Sequence, residues 1–289
     1  MKLLLVLKLL RPHQYIKNLF IFLPLFFALE ITNIDLLLRA FVAFIAFSFT
    51  ASAIYILNDY FDIEEDKKHP KKKYRPLASG EISKIEAVVI MMILFIFGIG
   101  IMSLVSFKAL MVLLFYVFLN IGYSYYLKHV PIIDVSIIAI GFVLRLFVGA
   151  FVANVNLSMW IVLMTFLLAL FLALAKRRDD VLIFNRTGKK MRKVIDGYNI
   201  DFLNIAMAIM ASVVIVAYIM YSTSKEIIEK FHNDYLYISS IFVILGILRY
   251  LQISFVYEDS GSPTKIVLKD RFIQLVILGW IMYFIWSLY

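Results

Sequence analysis

The chain of 289 residues contains no cysteine, so disulfides and thiolate chemistry are excluded and the redox compartment stays open. Its four histidines all lie outside the long apolar runs, which leaves no imidazole base inside a membrane span. No Gly/Ser-rich linker or low-complexity tract divides it, so residues 1–289 read as a single domain. Charge is scarce as well, at 17% of residues. What is abundant is apolar surface: 63% of residues are hydrophobic, 16% aromatic, and the mean hydropathy is +0.91. Soluble domains reach roughly 45–50% apolar. The composition therefore predicts an all-α, polytopic membrane protein.

At about 20 residues per crossing, nine spans are expected, at 18–34, 36–57, 85–106, 108–127, 131–153, 157–175, 201–222, 235–256 and 271–288. Residues 1–17 form an interfacial segment. Met1 to Leu10 resembles a signal peptide, but Lys8 interrupts the apolar core and no small-residue cleavage site follows. Two long polar loops, 61–84 and 176–199, each follow an even-numbered span. They predict two similar helical halves facing each other across a central cavity open to the cytoplasm.

The net charge of +9 would by itself suit a nucleic-acid ligand, but the charges fall where the topology of a membrane protein puts them, which argues against nucleic acid. Of 29 Lys and Arg, 23 fall on one side of the expected topology. Arg39, Lys108, Lys225 and Lys230 fall opposite, and Arg145 and Arg249 lie within spans. By the positive-inside rule the N-terminus is cytoplasmic and, with nine spans, the C-terminus is outside, in the plasma (inner) membrane. The plain alternative is that these cations serve topology alone.

The densest polar feature is Asn58-Asp59-Tyr60-Phe61-Asp62-Ile63-Glu64-Glu65-Asp66, at the end of a long apolar run. Carboxylates at a membrane boundary are costly and point to function or to pairing. Asp59, Asp62 and Asp66, at i, i+3 and i+7, share one helical face. Hard oxygen donors in this number suit Mg²⁺, which uses one or two protein carboxylates and takes further ligands from phosphates and water. The competing explanation is that the acids cap the second span and solvate its end. His69 reads as a loop residue rather than a ligand.

The run from Asn58 to Gly80, which continues through a lysine cluster to Arg75-Pro76-Leu77-Ala78-Ser79-Gly80, resembles the first Asp-rich motif of the UbiA superfamily of intramembrane prenyltransferases: N-D-x-x-D-x-x-x-D followed by R-P-x-x-x-G. Tyr123-Ser124-Tyr125-Tyr126-Leu127-Lys128 resembles a second superfamily element, its alternative being an aromatic belt with a snorkelling lysine. Ordinary members carry a second spaced set of aspartates after the sixth span. Here the segment is Lys176-Arg177-Arg178-Asp179-Asp180, with cations first and two adjacent acids that face different directions on a helix. A cationic site binds phosphate directly by charge-assisted hydrogen bonds. Together with Asn58–Gly80 and Lys176–Asp180, residues 11–18, 141–145 and 263–271 resemble the superfamily's subgroup of polyprenyl-phosphate phosphoribosyltransferases.

The resemblance to that subgroup implies Mg²⁺-dependent transfer of 5-phosphoribose from phosphoribosyl pyrophosphate to a polyprenyl phosphate such as decaprenyl phosphate. In mycobacteria that product feeds cell-wall arabinan synthesis. It implies that Asp59, Asp62 and Asp66 hold the metal, with Asn58 beside them. Lys17, Arg75 and Lys128 would then contact phosphate, with Tyr123 and Arg145, and Lys176, Arg177 and Arg178 would meet the lipid phosphate or the ribose 5-phosphate. Arg145 lies roughly 20 Å along its helix from Pro131 and about 16 Å from Asp134. Direct pairing of those two is excluded, and Arg145 is expected to face a wet cavity, while Arg249 snorkels. Two rivals remain: a UbiA-type prenyltransferase joining a prenyl diphosphate to an aromatic or glycerol-phosphate acceptor, and a non-enzymatic transporter or lipid-binding protein. Homo-oligomerisation is compatible with the chain, but no small-xxx-small stripe decides it.

Overall fold

The computed structural model describes residues 2–68, 72–188, 190 and 193–288. His69 lies outside these residues, as do Pro70 and Lys71 of the basic run. Helix is the only regular secondary structure among the described residues, and contacts group the chain into two compact units, Met1–Leu157 and Ser158–Tyr289.

The first unit contains α1 (Lys2–Leu10), a 3-10 helix (Pro12–Phe22), α2 (Leu23–Phe27), α3 (Ile34–Phe61), α4 (Ile63–Lys68), α5 (Lys84–Val105), α6 (Phe107–Tyr125) and α7 (Ile133–Ala153). The long helix α3 is the spine, packed against α5, α6 and α7. Its buried face is built from small residues, among them Ala43, Ala46, Ala51 and Ala53, so neighbouring backbones approach closely. A methyl added at Gly98 of α5 would lie 2.3 Å from Thr50 Oγ1. One added at Gly149 of α7 would lie 2.0 Å from the Ile21 carbonyl oxygen. These two glycines seat α5 and the 3-10 segment directly on their partners. A capping box, Ser83 with Glu86, starts α5.

The second unit contains α8 (Met159–Thr187), α9 (Ile200–Thr223), α10 (Lys225–Phe231), α11 (Ser240–Phe255), α12 (Pro263–Lys269) and α13 (Arg271–Leu288). Here α8 packs on α9, and α11 on both α9 and α13.

Seven helical stretches among the described residues are long and apolar enough to cross a bilayer: α3, α5, α6, α7, α8, α9 and Leu236–Phe255. This is an integral membrane protein. By length and composition, seven of the nine expected spans are confirmed among the described residues. Residues 18–34 are divided among the 3-10 helix, α2 and turns, because Pro12 and Pro24 remove backbone donors within eleven residues of Asn18. The ninth expected span is the shorter apolar helix α13. Neither polar loop is wholly a loop: α8 continues twelve residues past Ala175 to Thr187, and α4 (Ile63–Lys68) follows directly on α3.

Candidate active site

Helix α3 has 28 residues, about 42 Å at 1.5 Å per residue, which exceeds a hydrocarbon core of about 30 Å. Its last turn therefore emerges from the apolar layer carrying Asn58 and Asp59. The helix ends at Phe61, where Asp62 (φ −94°, ψ 6°) is the C-cap and donates its backbone N–H to the Asn58 carbonyl. A new turn, α4, then carries Asp66. The three acids thus stand on two successive helices rather than the single one their spacing predicts, although Asp59 and Asp66 still converge on one Arg75 nitrogen. A cap residue with ψ near 0° redirects the chain between the second acid and the third.

Each acid meets a cation brought from elsewhere in the first unit. Asp59, 2% exposed, accepts Arg11 Nη2 on both oxygens at 2.5 and 2.6 Å and Arg75 Nη1 at 3.0 Å. The same Arg75 nitrogen donates to Asp66 at 2.5 Å, and Lys72 lies 3.9 Å from that carboxylate. Asp62 accepts Lys128 Nζ at 2.5 Å and Asn58 Nδ2 at 3.1 Å. Lys128 follows α6 in a short 3-10 turn and is buried. Arg75 and Lys128, expected as phosphate ligands, thus sit at the acidic motif. Tyr123 is half-buried in α6 and makes no polar or ring contact among the described residues.

Arg11 is the site residue that sequence reasoning passed over in favour of Lys17. Its left-handed backbone, φ 55°, turns the chain from α1 into the 3-10 segment. That segment is fastened along α3 by a polar ladder: Ser52 Oγ donates to the Leu10 carbonyl, Tyr15 and Ser52 hydroxyls bond at 2.9 Å, and Asn18 Nδ2 donates to Ser48 Oγ at 2.9 Å. Ser48, Ser52 and Asp59, four and seven residues apart, lie along one helical face. That spacing was the available signal.

Lys17 is half-buried on this segment. Burial, with repulsion from Arg145 and Arg11, pushes its pKa down to about 8. Arg145 is not in a wet cavity. It is 4% exposed, donates to Asn18 Oδ1 at 2.8 Å, to the Gly141 carbonyl at 2.6 Å and to Tyr116 OH at 3.5 Å, and packs against the rings of Phe47, Tyr116 and Phe142. Neutral acceptors and aromatic faces stabilise a desolvated guanidinium without a carboxylate. Asp134 sits in the first turn of α7, as expected of a residue that complements the helix dipole.

In the second unit, Lys176 to Asp180 lie inside α8. Arg177, 1% exposed, donates to Asp180 at 2.8 Å across one turn. Arg178 donates to Asn204 Oδ1 at 2.7 Å and to the Ser254 carbonyl at 2.6 Å, and lies over the Phe255 ring. It thereby ties α8 to α9 and α11. Ser260 donates to the Ala175 carbonyl, and a methyl on Gly261 would meet Asp179 Oδ2 at 2.0 Å, so the turn after α11 lies against this stretch. Arg249 does more than snorkel: it pairs with Asp270 at 2.8 Å.

Among the described residues no three acids or histidines already stand together in a metal-holding cluster. The donor types nevertheless fit a hard divalent cation. Asn58 Oδ1 is buried with no hydrogen-bond partner, beside the Asp62 carboxylate to which the same side chain donates. An orphaned carbonyl oxygen next to carboxylates is an acceptor awaiting a cation or a donor. Asp59, Asp62 and Asp66 would join it by exchanging their Arg and Lys partners.

The UbiA prenyltransferase family model matches residues 18–276. The chain belongs to this family and is a membrane-embedded transferase. It is 30% identical to the decaprenyl-phosphate phosphoribosyltransferase of Corynebacterium glutamicum over 98% of this chain and 86% of that protein. It is 29% identical to the enzyme of the same name from Mycolicibacterium smegmatis over 96% and 90%. Among solved structures it resembles a UbiA homolog from Archaeoglobus fulgidus bound to DMAPP and Mg²⁺, with a TM-score of 0.72 and 20% identity over 98% of each chain.

Proposed function

We propose that this protein transfers 5-phosphoribose from phosphoribosyl pyrophosphate to a polyprenyl phosphate and releases pyrophosphate. The observation that carries the reading is likeness to decaprenyl-phosphate phosphoribosyltransferases along nearly the whole chain. The basic stretch Lys176–Arg178, where a second spaced aspartate set is expected of ordinary superfamily members, supports it. Both units act as one transferase domain, since the family match crosses the boundary at residue 157.

The bond from ribose C1 to the pyrophosphate oxygen breaks with oxocarbenium character at C1, and a bond forms from C1 to an oxygen of the lipid phosphate. That phosphate has a second pKa near 6, so it is ionised at pH 7 and no protein base is required. Mg²⁺, when bound, neutralises charge on the departing pyrophosphate. Asp59, Asp62, Asp66 and Asn58 would hold it. Arg11, Arg75 and Lys128, released from those carboxylates, would turn to the pyrophosphate oxygens, and Lys17 lies close enough to Arg11 to feel its charge. Lys176 and Arg177 would receive the second phosphate. Catalysis then rests on positioning and on fixed positive charge. Arg145 and Arg178, held by neutral acceptors, act as positioning residues.

The excess of Lys and Arg in the loops on one side supports a cytoplasmic N-terminus and a cytoplasmic acidic end of α3. An outward C-terminus follows if α13 and residues 18–34 both cross.

The test uses purified protein, Mg²⁺, radiolabelled phosphoribosyl pyrophosphate and decaprenyl phosphate, with label followed into the lipid phase. Wild type is expected to label the lipid and Asp62→Ala to lose at least about 10²-fold, the scale of removing one preorganised charge-stabilising group. No label with several polyprenyl phosphates sinks the donor assignment and points to a prenyl diphosphate donor.

A further inference from the structure

The transferase reading leaves the charges around the end of α11 unused. In the second unit, α11, the turn 256–262, α12 and the start of α13 enclose a cleft of about 280 Å³. Its charged lining is Arg249, Lys265 and Lys269 against Asp259 and Asp270. Arg249 and Asp270 neutralise one another: Nε and Nη2 donate to Asp270 Oδ2 at 3.2 and 2.8 Å, and Nη1 donates to Gln252 at 2.7 Å. The guanidinium holds the Asp270 carboxyl below the usual range, so that carboxylate stays charged and occupied. Lys265 and Lys269, one turn apart on α12, have no ion pair or hydrogen bond among the described residues. With Asp259 as the remaining acid, two uncommitted ammonium groups leave the cleft cationic.

Its surroundings are apolar. The cleft follows directly on the membrane-crossing stretch Leu236–Phe255. Val256 and Leu268 beside it are 68% and 58% exposed, and Tyr257, 57% exposed, lies under the Arg249 guanidinium. Exposed aliphatic and aromatic side chains next to lysines at the end of a span match the depth of lipid headgroups, where basic pockets between helices take headgroup phosphates.

We infer that this cleft is a second phosphate site, carried wholly by the second unit, and that its ligand is the phosphate of an anionic membrane lipid with Lys265 and Lys269 as the anion ligands. The assignment does not depend on the transferase reading.

The test measures phosphatidylglycerol retained by the full-length protein in detergent, by native mass spectrometry, for wild type, Lys265→Gln/Lys269→Gln and Lys265→Arg/Lys269→Arg. Two surface lysines, each contributing roughly fivefold, predict about thirtyfold weaker retention for the glutamine pair, with the arginine pair close to wild type. Retention by wild type should fall as salt is raised, and zwitterionic phosphatidylcholine should not distinguish the three proteins. Apparent melting temperatures without added lipid establish that the variants are folded; if the glutamine pair is not, the arginine pair and the salt dependence decide. Equal retention by wild type and a folded glutamine pair, loss of retention by a folded arginine pair, or salt-insensitive retention overturns the site. Inorganic phosphate that protects wild type but not the glutamine pair, with no lipid retained, overturns the lipid as its source.

Discussion

The acidic end of α3 and α4 in the first unit and the basic stretch of α8 in the second carry opposite charges and are stabilised in different ways. In the first, the three aspartates are each met by a cation from another segment: Arg11 and Arg75 on Asp59, Lys128 on Asp62, Arg75 on Asp66. In the second, the cations are held locally or by neutral groups, Arg177 by Asp180 one turn away and Arg178 by an amide and a backbone carbonyl. Ion pairs between separate segments can exchange for a metal ion and a phosphate while conserving charge balance. A guanidinium bound to neutral acceptors keeps its positive field and cannot leave without stranding those acceptors. The first region's pairs are therefore open to exchange, whereas Arg178 in the second is held in place.

The sharpest way to break this contrast is at Asp59. Asp59→Ala strands Arg11 and leaves Arg75 with Asp66 alone, and should destabilise by about 3 kcal/mol, the lower end for breaking a buried pair because both arginines reach solvent. Adding Arg11→Met should recover part of the loss. A thermal denaturation series of the two variants checks it, and an Asp59→Ala protein as stable as wild type removes the ion-pair account.

At Arg178 the comparison is between two arginines one residue apart. Arg178→Lys keeps the charge but cannot reach Asn204 and the Ser254 carbonyl together, and should cost about 2 kcal/mol through a buried acceptor left unpaired. Arg177→Lys keeps a charge-assisted bond to Asp180 one turn away and should cost less than Arg178→Lys. Equal melting temperatures for the two would mean that Arg178 is not the tie between α8, α9 and α11.

Lys128→Met addresses the exchangeable pair at Asp62, which keeps its bond from Asn58. We expect at least about tenfold slower transfer, at the low end for losing a phosphate contact, with melting nearly unchanged. A large fall in melting temperature would instead assign Lys128 to the fold.

The smallest effect concerns pH. Lys17 has a pKa of about 8 in the folded chain against 10.5 when unperturbed, so between those values the unfolded state binds more protons and stability rises with pH. The charged lysine destabilises most below pH 8. Lys17→Met should therefore melt higher than wild type at pH 7, with the gap closing towards pH 10. A constant gap across that range would mean that Lys17 titrates normally.

Much of this was legible in the chain. Apolar runs of about 20 residues located α3, α5, α6, α7, α9 and Leu236–Phe255 to within a few residues, because a bilayer requires continuous apolar length and internally bonded backbone. The Asn58–Asp66 cluster stood out because charge at a span's end is costly. The segment 18–34 misled because hydropathy counts apolar residues and does not register how Pro12 and Pro24 shorten helices. Arg145 misled for a related reason: sequence shows a charge in a span, but not that Asn18, Gly141 and three aromatic rings surround it.

Composition and periodicity by themselves determined the membrane class, most of the spans and the acidic motif, since each depends on residues near one another in sequence. Tertiary structure alone decided that Arg11 and Lys128 reach Asp59 and Asp62 across 48 and 66 residues, that Asp62 caps α3 and turns the chain away, and that Arg178 is tied to two other helices. Those outcomes depend on which backbones approach closely, as at Gly98 and Gly149, and distance in space is a quantity that a linear pattern of residue types does not contain.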